Sequence, residues 1–223
     1  MFLGHYGVAF AAKRIAPRAC LGWLLAATAT LDLVWPIFLL LGVEHVRIAP
    51  GITLMTPLDF YDYPITHSLL GALGWSVLVG GLYFGVNRDR VGAVVIAALV
   101  TSHWVLDAIV HRPDLPLYPG GEARFGLGLW NSLPATLVVE TVFFVGGLWI
   151  YLLTTRATDR AGSYALWSFV ALFSVIFVAS TFGPPPPSVA AIAWMGFAQW
   201  LIVPWGWWID AHRTERNGGT AET

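Results

Sequence analysis

Three side chains that can bind a metal recur at intervals of four in "TSHWVLDAIVH", residues 101–111: His103, Asp107 and His111. Because residues i and i+4 share one face of a helix, the three side chains would form a stripe along the end of an apolar helix. Imidazole nitrogens and carboxylate oxygens suit Zn²⁺, Mn²⁺ or Fe²⁺. The single Cys20 rules out a cysteine-rich zinc site. We therefore expect a divalent metal here, with Zn²⁺ favoured.

The rest of the chain has the composition of a polytopic membrane protein. It has 223 residues, of which 57% are hydrophobic and only 11% are charged, and its mean hydropathy is +0.68. An ordinary soluble domain has roughly 25% charged residues. The formal net charge is −1, so the composition indicates no basic face for nucleic acid.

Six windows contain the roughly 20 apolar residues that cross a bilayer. They are residues 19–43, 64–86, 91–111, 131–154, 163–182 and 189–209. The shorter segment 2–12 predicts a re-entrant or interfacial helix. The predicted fold class is all-α, a polytopic membrane helix bundle with about six transmembrane helices plus this N-terminal helix. One integral membrane domain, 1–223, would comprise a metal-site half (1–125), accessory helices (126–210) and a cytoplasmic tail (211–223).

The basic residues divide unequally between the two sides of the predicted bundle. Three lie on one side, namely Arg47, Arg112 and Arg124. Nine lie on the other, namely Lys13, Arg14, Arg18, Arg88, Arg90, Arg156, Arg160, Arg213 and Arg216. By the positive-inside rule the second side is cytoplasmic. This predicts an integral protein of a bacterial inner membrane with a cytoplasmic C-terminus.

Helix rise brings further ionisable residues to the depth of the first three. Asp32 lies 14 residues after Arg18, and His103 lies 13 residues after Arg90. Both are thus about 20 Å from the cytoplasmic ends of their helices. His67 begins the span that descends from the outer side. Ionisable groups at this depth are costly unless they face a cavity or a partner. A metal centre on the outer half is favoured, and a hydrogen-bonded clasp between helices is the alternative.

Four stretches resemble the membrane-bound metal-dependent hydrolases typified by YdjM-like proteins: "GHYGVAF", "LDLVWP", "PITHSLLGAL" and "SHWVLDAIVHRPDLPLYPGG". The order of ligands is also similar to that of bacterial zinc-dependent phospholipase C and its nuclease relatives. This resemblance, over roughly residues 4–120, implies a phosphodiester or lipid-ester hydrolase. The metal-binding positions that it implies are His5, Asp32, His67, His103, Asp107 and His111.

The sequence departs from these patterns at two places. The acidic motif keeps only Asp32, and "YDYPITHS" replaces the usual lead-in to the "THS" motif. Asp62 in that lead-in either compensates for the missing acid or solvates the loop, and the loop interpretation is favoured. The downstream HxxxE of phospholipase C is also missing, so a mono- or dinuclear centre is expected.

Hydrolysis at such a centre needs no serine or cysteine nucleophile, because a divalent metal lowers the pKa of bound water to about 7. Asp32 or Asp107 is expected to orient that water or take its proton. The histidine ring nitrogens that do not bind the metal need hydrogen-bond acceptors. Candidates that could equally cap helices or bond to the backbone are Thr66, Ser68 and Ser102.

The predicted depth of the centre favours a membrane lipid or a lipid-like substrate. Arg112 and Arg124 are predicted to contact its phosphate, with nonspecific contact to lipid headgroups as the alternative. Glu140 either lines the cavity or pairs within the bundle. The favoured function is a metal-dependent hydrolase acting near the outer face. A small-ion or proton-coupled transporter, and a non-catalytic scaffold stabilised by metal, stay open as alternatives.

Overall fold

The computed structural model describes residues 1–216. Its helices are α1 (Leu3–Ala12), α2 (Leu21–Thr28), α3 (Thr30–Leu40), α4 (Pro64–His67), α5 (Leu69–Asn87), α6 (Arg90–Val110), α7 (Leu133–Thr154), α8 (Arg160–Phe182), α9 (Val189–Ala198) and α10 (Ile202–Ala211). Two 3₁₀ turns, Leu129–Asn131 and Gln199–Leu201, precede α7 and α10. Of the predicted tail, residues 217–223 lie outside the described residues.

Five helical stretches are long and apolar enough to cross a membrane. They are α5, α6, α7, α8 and the stretch Val189–Ala211, which contains α9 and α10. Helices α2 and α3 together are also long and apolar enough, and although they are bent by 57° at their junction they make a sixth span if the pair crosses as one. Large apolar side chains such as Val77 and Trp149 are exposed on these helices, as expected where lipid replaces water. The predicted all-α bundle of about six spans is confirmed.

The second predicted span, 64–86, is interrupted near its start. Ser68 has an extended backbone, with φ −78° and ψ 153°, so the short helix α4 ends at His67. The Ser68 hydroxyl oxygen accepts a hydrogen bond from the Gly71 amide at 2.9 Å and so caps α5. His67 therefore lies at a helix junction rather than inside a continuous helix.

Helix α1 lies inside the bundle and packs mainly against α7. Eight of its ten residues are buried. The close approach of the two helices depends on glycine, because a Cβ atom at Gly147 would overlap the carbonyl oxygen of Gly7. Burial on nearly every side favours the re-entrant interpretation of segment 2–12, since an interfacial helix would leave one face open.

Three antiparallel two-stranded ladders lie in the connections between helices. They are β1 (His45–Ile48) with β2 (Leu58–Asp62), β3 (Leu115–Pro116) with β4 (Arg124–Phe125), and β5 (Thr155–Ala157) with β6 (Arg213–Glu215). The first two ladders shape the loops that flank α4 and follow α6. The third joins the end of α7 to the beginning of the predicted tail.

Candidate metal centre

The polar stripe of α6 faces the interior of the bundle. His103 is fully buried and Asp107 and His111 are nearly so. His111 directly follows Val110, the last residue of α6, and has an extended backbone. The predicted stripe therefore lies among the packed helices, where an ionisable side chain needs a partner.

The carboxylate of Asp107 is the centre of the cluster, because four imidazoles surround it. The Nε2 atom of His5 lies 3.1 Å from Oδ1, and the Nε2 atom of His103 lies 3.1 Å from Oδ2. The Nε2 atoms of His67 and His111 each lie 3.9 Å from Oδ2. Histidines from α1, from α4, from α6 and from the position directly after α6 thus meet at one side chain.

Asp32, in the first turn of α3, adds a second carboxylate. Its Oδ1 atom lies 3.5 Å from Nε2 of His67 and 3.7 Å from Nε2 of His103. Two groups of three potential ligands result, each with its ligand atoms within 4.8 Å of one another: His5, His103 and Asp107, and Asp32, His67 and His103. These groups contain five of the six predicted metal-binding residues, and the sixth, His111, adjoins them through Asp107 at 3.9 Å.

Hydrogen bonds at Nδ1 fix the ring orientation of His103. Its Nδ1 atom lies 2.6 Å from the carbonyl oxygen of Thr28, which is the last residue of α2. A carbonyl at the end of a helix lacks an intrahelical donor and is free to accept a proton from another group. Nδ1 is then the protonated nitrogen, which leaves the lone pair of Nε2 directed at the two carboxylates.

His67 is oriented by a relay through Thr66. Its Nδ1 atom lies 2.7 Å from the Thr66 hydroxyl, which donates to Oε2 of Glu44 at 2.6 Å. The other oxygen of Glu44 accepts the amides of Ile65 at 2.7 Å and Thr66 at 2.8 Å. Because the hydroxyl proton is committed to Glu44, the hydroxyl oxygen accepts the Nδ1 proton of His67. Nε2 of His67 is again the free nitrogen.

The third oriented histidine is His111. Its Nδ1 atom lies 2.9 Å from Oδ1 of Asp114, which also accepts the Tyr63 hydroxyl at 2.9 Å. The Asp114 carboxylate is held further by Nε of Arg112 at 3.1 Å. Burial, and then the negative charge of Asp114, raise the pKa of Tyr63 well above its ordinary value, so the phenol stays a donor. Carboxylate–histidine pairs of this kind orient metal ligands.

The donor atoms fit a divalent metal. Nε2 of fully buried His103 accepts no hydrogen bond from the part of the chain that the structure describes, and such an orphaned atom is costly without a partner. Ligand atoms at the corners of a tetrahedral zinc site are about 3.3 Å apart, given Zn–N bonds of about 2.0–2.1 Å. The observed separations of 3.1–3.9 Å bracket that value. Two overlapping groups that share His103 suit one ion or two adjacent ions.

His5 is positioned by the seat of α1 rather than by a partner at Nδ1. Its ring stacks on His103, with centroids 3.8 Å apart and planes at 5°. Glu140 of α7 accepts the Phe2 and Gly4 amides, each at 2.8 Å, and thereby caps the start of α1. A carboxylate at this end also complements the helix dipole. Glu140 thus holds the helix that delivers His5.

A cavity of about 230 Å³ reaches the cluster. It exposes Asp32, His67, Asp107 and His111 to a space walled by aromatic and apolar side chains. Those side chains are Met1, Phe2, Trp35, Met55, Phe60, Trp130, Ile176 and Phe177, with Thr56, Glu140 and Ser180 as the other polar lining residues. The amino group of Met1 also contacts Oδ1 of Asp107. The cluster therefore has access to a small, largely apolar chamber.

The remaining predicted residues have other partners. Asp62 accepts a hydrogen bond from the exposed His45 at 2.8 Å in the β1–β2 ladder, which agrees with the loop interpretation. Arg112 binds the carboxylates of Asp59 and Asp114. Arg124 donates to the carbonyl oxygen of Gly121 at 2.5 Å. Neither Arg112 nor Arg124 is among the described residues that line the cavity. The contacts of these two arginines with a substrate phosphate stay predictions.

The three hydroxyls predicted as acceptors for the histidines divide by role. Thr66 does orient His67, whereas Ser68 caps α5 and Ser102 donates to the Leu99 carbonyl oxygen at 2.7 Å. Glu44 and Asp114 were not predicted from the sequence. Asp114 had a local signal, because it follows His111 at a spacing of three in "HRPD". Glu44 had none, since it reaches Thr66 across a long loop.

A membrane-spanning helix bundle with a buried cluster of histidines and aspartates is the class of protein that this geometry defines. The model of the YdjM inner membrane protein family matches residues 63–183, so the chain belongs to that family. The matched segment contains His67, His103, Asp107 and His111, whereas His5 and Asp32 precede it. No curated protein and no solved structure matches the chain. The family description gives a location, the inner membrane, and no activity.

Proposed function

We propose that this protein is a metal-dependent hydrolase of a phosphodiester or a lipid-like ester. The observation that carries the proposal is the arrangement of imidazoles around Asp107 and Asp32. Three of them have Nδ1 committed to an acceptor and Nε2 left for a metal. A structural clasp would instead pair each nitrogen with a donor or an acceptor. Zn²⁺ is the favoured ion, and Mn²⁺ and Fe²⁺ suit the same ligands.

The two carboxylates differ in access, which suggests a division of work. The side chain of Asp107 is 3% exposed and has imidazoles on both oxygens, as suits a bridging ligand. The side chain of Asp32 is 31% exposed and lines the cavity. Asp32 is therefore the better placed of the two to accept a proton from a water molecule in the chamber.

A bound divalent metal would supply a water of lowered pKa and polarise a phosphoryl or acyl oxygen. In the proposed hydrolysis, the water oxygen bonds to phosphorus or to the acyl carbon, and its proton passes to Asp32. The ester oxygen leaves as the old bond breaks and takes up the proton held by Asp32, which returns that carboxylate to its starting state. The aromatic walls formed by Trp35, Phe60 and Trp130 limit the entry of bulk water around these groups.

The apolar surroundings of the chamber support a lipid-like substrate. The centre lies in a bundle whose helices are long enough to cross a membrane, and the family description names the inner membrane. The distribution of basic residues supports an outward-facing centre and a cytoplasmic C-terminus. Under this proposal, a reporter domain that works only in the cytoplasm should be active when it is fused to the C-terminus. Activity of a reporter that works only in the periplasm would reverse the orientation.

The metal content of purified protein tests the first part of the proposal. The wild type is expected to carry a stoichiometric divalent metal, and His103→Ala and Asp107→Ala are expected to lose it. Ser102→Ala is the matched control, because it alters the neighbouring residue on α6, whose hydroxyl bonds only to the backbone. A wild type without metal, or variants that keep it, would overturn the metal centre and favour an ion or proton pathway.

A hydrolysis screen separates an enzyme from a metal-stabilised scaffold. Phospholipids and chromogenic phosphodiesters are offered to the metal-loaded protein, with a chelator-treated sample beside it. Turnover that is lost with the chelator and restored by Zn²⁺ or Mn²⁺ supports the hydrolase. Metal-loaded protein that turns over none of these esters, yet unfolds more readily after chelation, supports the scaffold.

A further inference from the structure

A second, larger cavity adjoins the chamber at the metal centre. Its volume is about 760 Å³, within the roughly 300–1,000 Å³ typical of ligand pockets. It lies between the loop 50–58, the end of α8 and the beginning of α9. We name this cavity the loop–helix groove.

The groove and the chamber adjoin each other, because four residues line both. These shared residues are Met55, Thr56, Ile176 and Ser180. The amide of Met55 is fixed to the carbonyl oxygen of Trp130 at 3.2 Å, and the Thr181 hydroxyl contacts its sulfur at 3.8 Å. Methionine side chains are flexible, so the Met55 side chain can move aside where the groove meets the chamber.

The chemistry of the lining changes from the chamber to the groove. At the chamber end are the carboxylates and imidazoles of the centre, and at the junction are the hydroxyls of Thr56 and Ser180. The far end is lined by groups that offer little to a polar ligand, including Leu58, Ile192, Met195 and the rigid Pro184–Pro187 run. A ligand that matches this gradient has a polar head and a hydrocarbon tail.

The groove opens at the surface of the bundle beside the ends of two membrane-spanning stretches. Leu54 and Met195, which line it, are exposed, and α8 and α9 belong to spans. We infer that the loop–helix groove binds the hydrocarbon chain of an amphiphilic ester, which enters from the bilayer and places its phosphate or ester head at the metal centre. This inference rests on the proposed function and specifies its substrate class. An acyl lipid and an isoprenoid phosphate share the required chemistry.

Two neighbouring alanines at the start of α9 provide the test. Ala191 lines the groove, whereas Ala190 is exposed and is not among its lining residues. Ala191→Trp fills the groove, and Ala190→Trp adds the same side chain to the outer surface. Neither residue touches the metal centre, so both variants are expected to retain metal.

The first readout is photocrosslinking in lipid nanodiscs and does not require turnover. The probes are a hexadecyl phosphodiester and a farnesyl phosphodiester, each with a diazirine on the chain. We expect crosslinks in residues 50–58 or 176–195 of the wild type and Ala190→Trp, and at least a tenfold loss in Ala191→Trp. The chain that labels more strongly identifies the source. Labelling outside the groove, or equal labelling of both variants, would overturn the inference.

The second readout is hydrolysis of methyl, octyl and hexadecyl nitrophenyl phosphodiesters. Each methylene buried in the groove is expected to raise apparent affinity by about fourfold, until the groove is filled. Ala191→Trp should abolish this dependence on chain length, whereas Ala190→Trp should keep both the dependence and the turnover of the methyl ester. If turnover does not depend on chain length in the wild type, the inference fails while the hydrolase stands. If no ester is hydrolysed but the groove is labelled, the hydrolase fails and the groove stands.

Discussion

Two buried polar clusters occupy different parts of the bundle, and they are built on opposite plans. In the first, Lys13 donates to Asp210 at 2.6 Å and to the Ala19 carbonyl oxygen at 2.9 Å. Asp210 also accepts the Leu21 amide at 2.9 Å and the Tyr151 hydroxyl at 3.3 Å. One cation and one anion neutralise each other, and each has further partners. We call this the Lys13 cluster.

The candidate metal centre is built from different groups, since the cation beside Asp107 is the Met1 amino group, and no lysine or arginine side chain of residues 1–216 pairs with Asp107 or Asp32. Two carboxylates meet four imidazoles, and the nitrogens that face the carboxylates are lone-pair atoms in three of the four rings. His103 Nε2 accepts no hydrogen bond within residues 1–216. The Lys13 cluster is complete as a structural ion pair, whereas the candidate centre keeps ring nitrogens that a metal ion would bind under the proposed function. Burial of a polar cluster therefore does not by itself indicate a binding site. Ring nitrogens that lack hydrogen-bond partners do indicate one.

The largest effect that separates the two clusters is expected from Asp107→Asn. The amide keeps the shape of the side chain and removes the charge that binds the metal. We expect loss of stoichiometric metal and of hydrolysis, with metal affinity lowered by more than about 100-fold, the upper effect of losing an outer-shell partner. Metal titration and chelator competition measure this. Unfolding of metal-free protein should change little, and an equal loss of stability with metal retained would contradict the comparison.

Lys13→Met should have the reverse profile. It leaves the carboxylate of Asp210 buried without its cation, which typically costs about 3–5 kcal/mol. Denaturant unfolding in mild detergent should show this loss, while the folded fraction keeps its metal. The double variant Lys13→Met/Asp210→Leu should recover much of the stability. Loss of metal from folded Lys13→Met protein would show that the clusters are coupled.

Thr66→Val tests a residue that does not bind the proposed metal but orients one of its proposed ligands, His67. It removes the hydroxyl that links His67 to Glu44, so metal affinity should fall by about 10–100-fold while binding remains detectable. Ser68→Ala is the nearby control, because it removes the cap of α5 and should cost about 1 kcal/mol of stability. If Ser68→Ala weakens metal binding as much as Thr66→Val does, the relay has no specific role.

The smallest effects are expected at the two arginines. Arg112→Gln removes a hydrogen bond that holds Asp114, which in turn orients His111. We therefore expect metal affinity to fall by a few fold, which is less than the about 10-fold minimum for loss of a whole outer-shell partner. Arg124→Gln should leave metal affinity and KM unchanged, because its observed hydrogen bonds are local to its own loop. A rise in KM for Arg124→Gln would instead support the predicted contact between Arg124 and the substrate phosphate.

Much of the centre could be predicted because membrane helices are regular. Depth follows from residue count, and an i, i+4 spacing fixes a face, so the sequence alone could bring Asp32, His103 and Asp107 to neighbouring levels of the bundle. The resemblance to the YdjM-like proteins added His5 and His67 to the candidate metal ligands. The apolar windows likewise predicted the spans to within a few residues at most ends.

The features that escaped prediction depend on irregular backbone. The break at Ser68 arises from a serine cap that no hydropathy window detects. Glu44 reaches Thr66 only because the loop 41–63 folds back through its ladder, and the seat of α1 depends on a glycine contact between distant helices. Hydropathy and spacing describe single helices, whereas these features belong to pairs of segments.

The cap that Glu140 places on α1 also sets an order for biosynthesis. All six proposed ligands have been synthesised once the chain reaches His111, but His5 gains the seat that Glu140 provides only when α7 has entered the membrane. A nascent chain halted between these points would expose the ligands without the geometry that orders them. Under the proposed function, an ion held by His5, His103 and Asp107 would therefore be bound only after insertion of α7, in a molecule whose bundle has been assembled at least that far.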